Sequence, residues 1–272
     1  MKLNLFYAIA LLCPVLSFAQ QNSPTPPLDD IVVRTTLEEK GPLPYPPLRE
    51  ADILWSQKVW QEIDTRQKQN LTFRSPHAAL YEILESGIKS GELTAYSPED
   101  DRFSMPMSIE EFIDATSSVD TLVIFDMDYN ERTEIVREML DYESIIKFRV
   151  KEVWYFDALT GSLRVRILGI APIAVKETDD GDALFEYPVF WVYYPNCREY
   201  LAKYEVFNPE NDMGRMSWED LFEMRKFDAT IIKASNILDK KLSNSFVGRD
   251  LLLESEKIKT KIRDKEMDVW SY

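Results

Sequence analysis

Few side chains in this chain have the type and spacing that chemistry requires. His77 is the single histidine, and Cys13 and Cys197 are the two cysteines. No Gly-x-Ser-x-Gly elbow accompanies His77, so a serine nucleophile has no base to pair with. One histidine and one retained cysteine cannot fill an ordinary zinc site. Asp179-Asp180-Gly181-Asp182 is rich in oxygen ligands. It lacks the spacing and the closing bidentate glutamate of a calcium loop, and reads as a hairpin loop. Asn208, Glu210, Asn211 and Asp212 form a second polar cluster, which reads as turn and cap hydrogen bonds. A glycosidase needs only two carboxylates flanking a sugar, and spacing along the chain singles out no such pair. No catalytic, cofactor or metal residue is assigned from these features.

One stretch comes closer to an enzyme. Leu122-Val123-Ile124-Phe125 is an apolar run that ends in Asp126-Met127-Asp128. It resembles the opening strand of haloacid-dehalogenase-type phosphatases. The resemblance implies Asp126 as nucleophile towards phosphorus and Asp128 as acid and base, with Mg²⁺ bridging. Asn130 stands where that family carries Thr or Val, the motif sits in mid-chain, and no Gly-Asp-x-x-x-Asp follows. An exported Mg-dependent hydrolase is therefore the alternative reading, and a strand ending in a polar turn explains the same residues.

The elements that frame these residues begin with a leader. Lys2 precedes an apolar run from Leu3 to Leu16, and Ser17-Phe18-Ala19 offers small residues at the positions a signal peptidase reads. Residues 1–19 are expected to be a secretory signal peptide cleaved between Ala19 and Gln20, too short for a membrane span. Cys13 lies between Leu12 and Pro14, which does not suit a lipid-attachment site. The mature chain is expected to work outside the cytoplasm.

Removing the leader takes away Lys2 and no acid, so the processed chain is more acidic still than the formal −15 of the whole. That balance repels nucleic acid and anionic lipid; it is compatible with basic protein partners, and it equally serves solubility alone. Cys197 is then the only thiol, either buried and inert or bridged to another chain. No intramolecular disulfide can form, so packing must hold the fold, and the length suffices for that.

Residues 20–47 read as a Pro-rich extended arm, because Pro24, Pro26, Pro27, Pro42, Pro44, Pro46 and Pro47 fix the backbone and remove donors. The arm is either a tether or a docking segment anchored by Tyr45 and Leu48. Residues 48–272 are expected to form one α+β domain. Leu48, Ala51, Trp55, Val59 and Ile63 recur at steps of three and four, which predicts a helix. Ile53 and Trp60 fall on nearly its opposite face, so this helix is either sandwiched in the domain or meets another subunit. Further helices are expected from Pro76 to Lys89, capped by Ser75, and from Ser108 to Thr116, capped by Ser108 with Glu111.

Strands are expected at 122–125, 145–156, 163–168 and 189–194, with 157–161 turning the middle pair into a hairpin. These make an antiparallel sheet of about three to five strands packed by helices. The C-terminal quarter is expected to be helical. Ser217 and Asp220 open one helix, Ile231, Ile232, Ile237, Leu238 and Leu242 outline another, and residues after Gly248 form a last one.

Longer segments carry a resemblance. They are Leu48-Arg49-Glu50-Ala51-Asp52 with Trp55, Trp60 and Asp64, then Trp154 to Asp157, and Arg166-Ile167-Leu168-Gly169-Ile170-Ala171-Pro172. Phe190-Trp191-Val192-Tyr193-Tyr194-Pro195 with Arg198, and Val206-Phe207-Asn208-Pro209-Glu210-Asn211-Asp212, follow. Arg225-Lys226-Phe227, Lys233-Ala234-Ser235-Asn236 and Glu266-Met267-Asp268-Val269-Trp270 complete the set. Together they resemble the GldN/PorN family of gliding-motility and type IX secretion proteins. The resemblance implies a non-enzymatic periplasmic component that associates with itself in a ring under the outer membrane. It implies an outer-membrane lipoprotein (the K subunit) and the periplasmic part of an inner-membrane protein (the M subunit) as partners. Candidate partner contacts are Tyr45, Leu48, Arg49, Ile53, Trp60, Tyr193, Tyr194 and Arg198.

Overall fold

The computed structural model describes residues 41–76, 78–125, 131–177, 183–209 and 214–270. The leader, the arm up to residue 40, His77, Asp126, Asp128, the 179–182 loop and Glu210 to Asp212 lie outside those residues. Thr35–Tyr272 form one compact unit. Its strands are β1 (Ile53–Asp64), β2 (Ala95–Tyr96), β3 (Ser117–Phe125), β4 (Glu131–Met139), β5 (Ile145–Asp157), β6 (Ser162–Glu177), β7 (Ala183–Pro188), β8 (Trp191–Tyr193), β9 (Glu205–Val206), β10 (Met216–Ser217) and β11 (Thr230–Ala234). Its helices are α1 (Leu80–Lys89), α2 (Ile109–Thr116), α3 (Tyr194–Leu201), α4 (Trp218–Glu223) and α5 (Arg249–Trp270).

The fold is α+β, built on an antiparallel sheet in the order β11-β1-β5-β6-β8-β2, with β7 also paired to β6. Five of these strands have five residues or more, and β8 and β2 extend the sheet by three and two residues. Pairing register sorts the side chains onto two faces. Ile63, Phe148, Val150, Ile167, Ile170 and Val192 share one face and meet Leu80, Tyr81 and Leu84 of α1, Phe112 of α2, Tyr194 and Leu201 of α3, and Trp218 and Phe222 of α4. On the same face Val59 and Ile231, with Trp55 and Trp154 beside them, pack under Ile258 and Ile262 of α5. The opposite face carries Trp60, Ala171 and Trp191, covered by Tyr96 and Phe103. Gly169 makes that cover possible, because a Cβ there would collide with the Phe103 ring.

The expected first helix is instead the strand β1, so the two-faced helix is replaced by a two-faced strand. Steps of four between Trp55, Val59 and Ile63 fit a period of two as well as 3.6. The intervening inward positions are Gln57 and Gln61, and their polarity hides the alternation. Gln61 is nevertheless buried, and donates to Glu152 Oε2 at 2.7 Å. Neighbouring β5 supplies the deciding factor: Trp55 to Asp64 pair with it residue by residue. The expected 231–242 helix is also corrected. Ile231 and Ile232 belong to β11, and Ile237 and Leu238 lie exposed beyond it. The strand expected at 189–194 shortens to β8, because Pro195 opens α3 at Tyr194. The helix expected from Pro76 starts at Leu80, with Ala79 rather than Ser75 before it.

The β5–β6 hairpin and the capping boxes Ser108–Glu111 and Ser217–Asp220 form as expected. α5 also protects an edge: the backbone N–H of Ile231 donates to the buried Ser255 hydroxyl at 2.9 Å.

Candidate functional site: a clamp for a proline-rich segment

The most organised polar site is where residues 41–47 cross the domain. Arg198 lies one turn into α3, and Glu219 lies in the first turn of α4. The Arg198 guanidinium donates through Nε and Nη2 to Glu219 Oε1 at 3.0 and 2.6 Å. Both groups are buried, at 8% and 5% exposure. The ion pair holds the guanidinium plane still, and Tyr45 lies over it at 3.9 Å. Arg166, from β6, flanks the same ring at 4.8 Å. Two cations on one aromatic ring use its negative faces.

Three further hydrogen bonds seat the segment. Arg198 Nη2 donates to the Leu43 carbonyl at 2.7 Å, Arg166 Nη2 donates to the Pro46 carbonyl at 2.7 Å, and Tyr45 Oη donates to Glu223 Oε1 at 2.7 Å. Prolines leave carbonyls without neighbouring donors, and guanidinium groups supply them. The surrounding cleft measures about 660 Å³ and extends along Leu163 to Arg166. Burial, then the bond to Glu223, raises the Tyr45 phenol well above its ordinary range, so it stays neutral. Burial also raises the Glu219 carboxyl, against the opposing pull of Arg198. This chemistry recognises and holds a polypeptide; it offers no nucleophile.

Of the residues singled out in the sequence, Tyr45 and Arg198 meet in this clamp, and the segment docks on its own chain. Leu48, Arg49 and Ile53 lead from it into β1, with Arg49 paired to Asp52 at 2.8 Å. Tyr194 is wholly buried beneath, and its hydroxyl has no partner among the described residues. It presents no surface. Tyr193 and Trp60 are on the other face of the sheet. Tyr193 meets the Phe103 ring at 5.4 Å. Trp60 is 7% exposed and sits between Lys233 and Lys151, whose ammonium groups lie 4.3 and 5.2 Å from its ring. Arg166, Glu219 and Glu223 are clamp residues that sequence reasoning did not assign. The Ser217–Asp220 box was the available signal, since it sets both glutamates on one short helix.

A second polar knot is structural. Glu152 is fully buried and accepts from Gln61 Nε2, Trp154 Nε1 and Arg225 Nη1 at 2.7, 3.0 and 2.7 Å. Every contact saturates the carboxylate, as a buried charge demands. Cys197 is a free, buried thiol.

The phosphatase reading loses its frame. A nucleophilic aspartate of that type stands at the carboxyl end of a parallel strand, followed by a crossover. β3 instead pairs antiparallel with β4 in a separate two-stranded sheet, with Phe125 opposite Glu131. Among the described residues no group of His, Cys, Asp or Glu is placed to hold a metal ion. No helix among them is long and apolar enough to cross a membrane.

A search among curated proteins gives no match. A model of the family described as gliding motility associated protein GldN matches residues 48–271, and the chain belongs to that family.

Proposed function

We propose that this member of the GldN family is a structural component of a periplasmic ring complex of the type IX secretion system, supporting gliding in species that glide. Its proposed partners are further copies of itself, the outer-membrane lipoprotein K subunit and the periplasmic part of the inner-membrane M subunit. The reading rests on the family match across the whole α+β unit. The clamp supports it, since the best-built polar site holds a polypeptide segment. The signal-peptide pattern of residues 1–19 supports the compartment.

Deletion of the gene tests the reading. Cargo proteins should disappear from the medium and return on complementation with the full chain. Normal secretion in the deletion strain would remove the proposal.

A further inference from the structure

The face of the sheet opposite the helices carries a cleft of about 1200 Å³. Its floor is the row Lys233, Trp60 and Lys151, side by side across β11, β1 and β5. Loops answer two of the charges: Lys233 pairs with Asp239 at 2.6 Å and Lys151 with Asp101 at 3.4 Å. Lys58, Arg102 and Lys241 also line the cleft, and none has a carboxylate within ion-pair distance among the described residues. Arg149 is a further cation of the lining and pairs with Glu62 at 2.6 Å, while Glu99 and Asp100 join Asp101 and Asp239 as its acidic members, so cations outnumber carboxylates six to four. The Trp60 indole N–H is buried and has no acceptor among the described residues, a deficit of about 1–3 kcal/mol.

From this cleft we infer a head-to-tail docking surface for a carboxylate-bearing face of a second copy of this chain. The inference deepens the ring reading and rests on it. Charge selects the occupant, because the chain is itself the polyanion that the cleft complements. Two such chains repel at long range, and a local basic cleft supplies the attraction that fixes one register. A contact between two different faces is heterologous, the kind that generates a ring when its rotation closes. The helices α1 and α2 cover the other face and expose Glu82, Glu110 and Glu111, so the basic cleft and that acidic surface are not the same patch.

The test uses the purified mature chain and the variant Lys58→Glu/Arg102→Glu/Lys241→Glu, in sedimentation velocity at low and high salt. These side chains take no part in the packed core, and circular dichroism checks the fold. The wild type should self-associate at low salt, and the variant should associate at least about tenfold more weakly. High salt should narrow the difference. A wild type that stays monomeric at every salt, or a variant that associates equally, overturns the inference. Association of the wild type with pentaglutamate or inorganic phosphate in place of self-association also overturns it, by making the cleft a small-anion site. Expression of the variant in the deletion strain separates the two levels. Restored secretion with unchanged ring assembly removes this surface while leaving the ring reading standing.

Discussion

Replacing Tyr45 by alanine should release the proline-rich segment without unfolding the domain. The ring contacts two guanidinium groups at 3.9 and 4.8 Å, and its hydroxyl donates to Glu223 at 2.7 Å. Half-buried cation–π contacts contribute about 1 kcal/mol together. A hydrogen bond to a carboxylate, discounted for partial exposure, contributes about 1 kcal/mol more. The loss of about 2 kcal/mol corresponds to an open population about thirtyfold larger. Local release need not register in global unfolding, so the assay is local: the rate of protease cleavage within residues 41–47 of the full chain, under conditions where reclosing is fast. Tyr45→Phe should give a smaller rise, near fivefold for about 1 kcal/mol. Equal cleavage rates in wild type and Tyr45→Ala would refute the clamp. Global unfolding of Tyr45→Ala would show instead that the segment is part of the core.

Further outcomes follow from other sites. Burial pushes the Cys197 thiol up to about 12, so Cys197 should resist thiol reagents at neutral pH in the native protein and react in denaturant. Glu152→Ala should cost about 3–5 kcal/mol in denaturant titration, because it strands the Arg225 charge and two other donors; a cost under about 1 kcal/mol would contradict the knot. Arg66, by hydrogen bonding, holds the Asp64 carboxyl below its ordinary range despite partial burial. Its stabilisation is full above the unfolded value and is lost as pH falls through the lower folded one, so the gap between wild type and Asp64→Asn should close as pH falls below the ordinary carboxylate range. Gly169→Ala should destabilise by about 1–3 kcal/mol by displacing the Phe103 ring.

What the residues disclosed before the fold was known depended on how local the cause was. Ser108 with Glu111 and Ser217 with Asp220 are complete within four positions, and both caps were readable. The β5–β6 hairpin was readable because alternation and a Gly161 turn lie next to each other. β1 was not, because its buried face includes Gln57 and Gln61, and Gln61 is tolerated inside only through Glu152, ninety-one positions away. β11 was missed for the same kind of reason: a five-residue strand is specified by the partner beside it. Tyr45 and Arg198 were picked out singly as aromatic and basic contact candidates. Their union needs α3, α4 and β6 together, so Arg166, Glu219 and Glu223 could not be added by spacing alone.

The account stands on this chain acting by binding other proteins. Its most direct test is affinity purification of the tagged full chain from cross-linked cell envelopes, followed by mass spectrometry and electron microscopy. Ring-shaped particles containing many copies of this chain with an outer-membrane lipoprotein are the predicted result. Recovery of the chain as a lone monomer, with no lipoprotein and no larger particle, would contradict it.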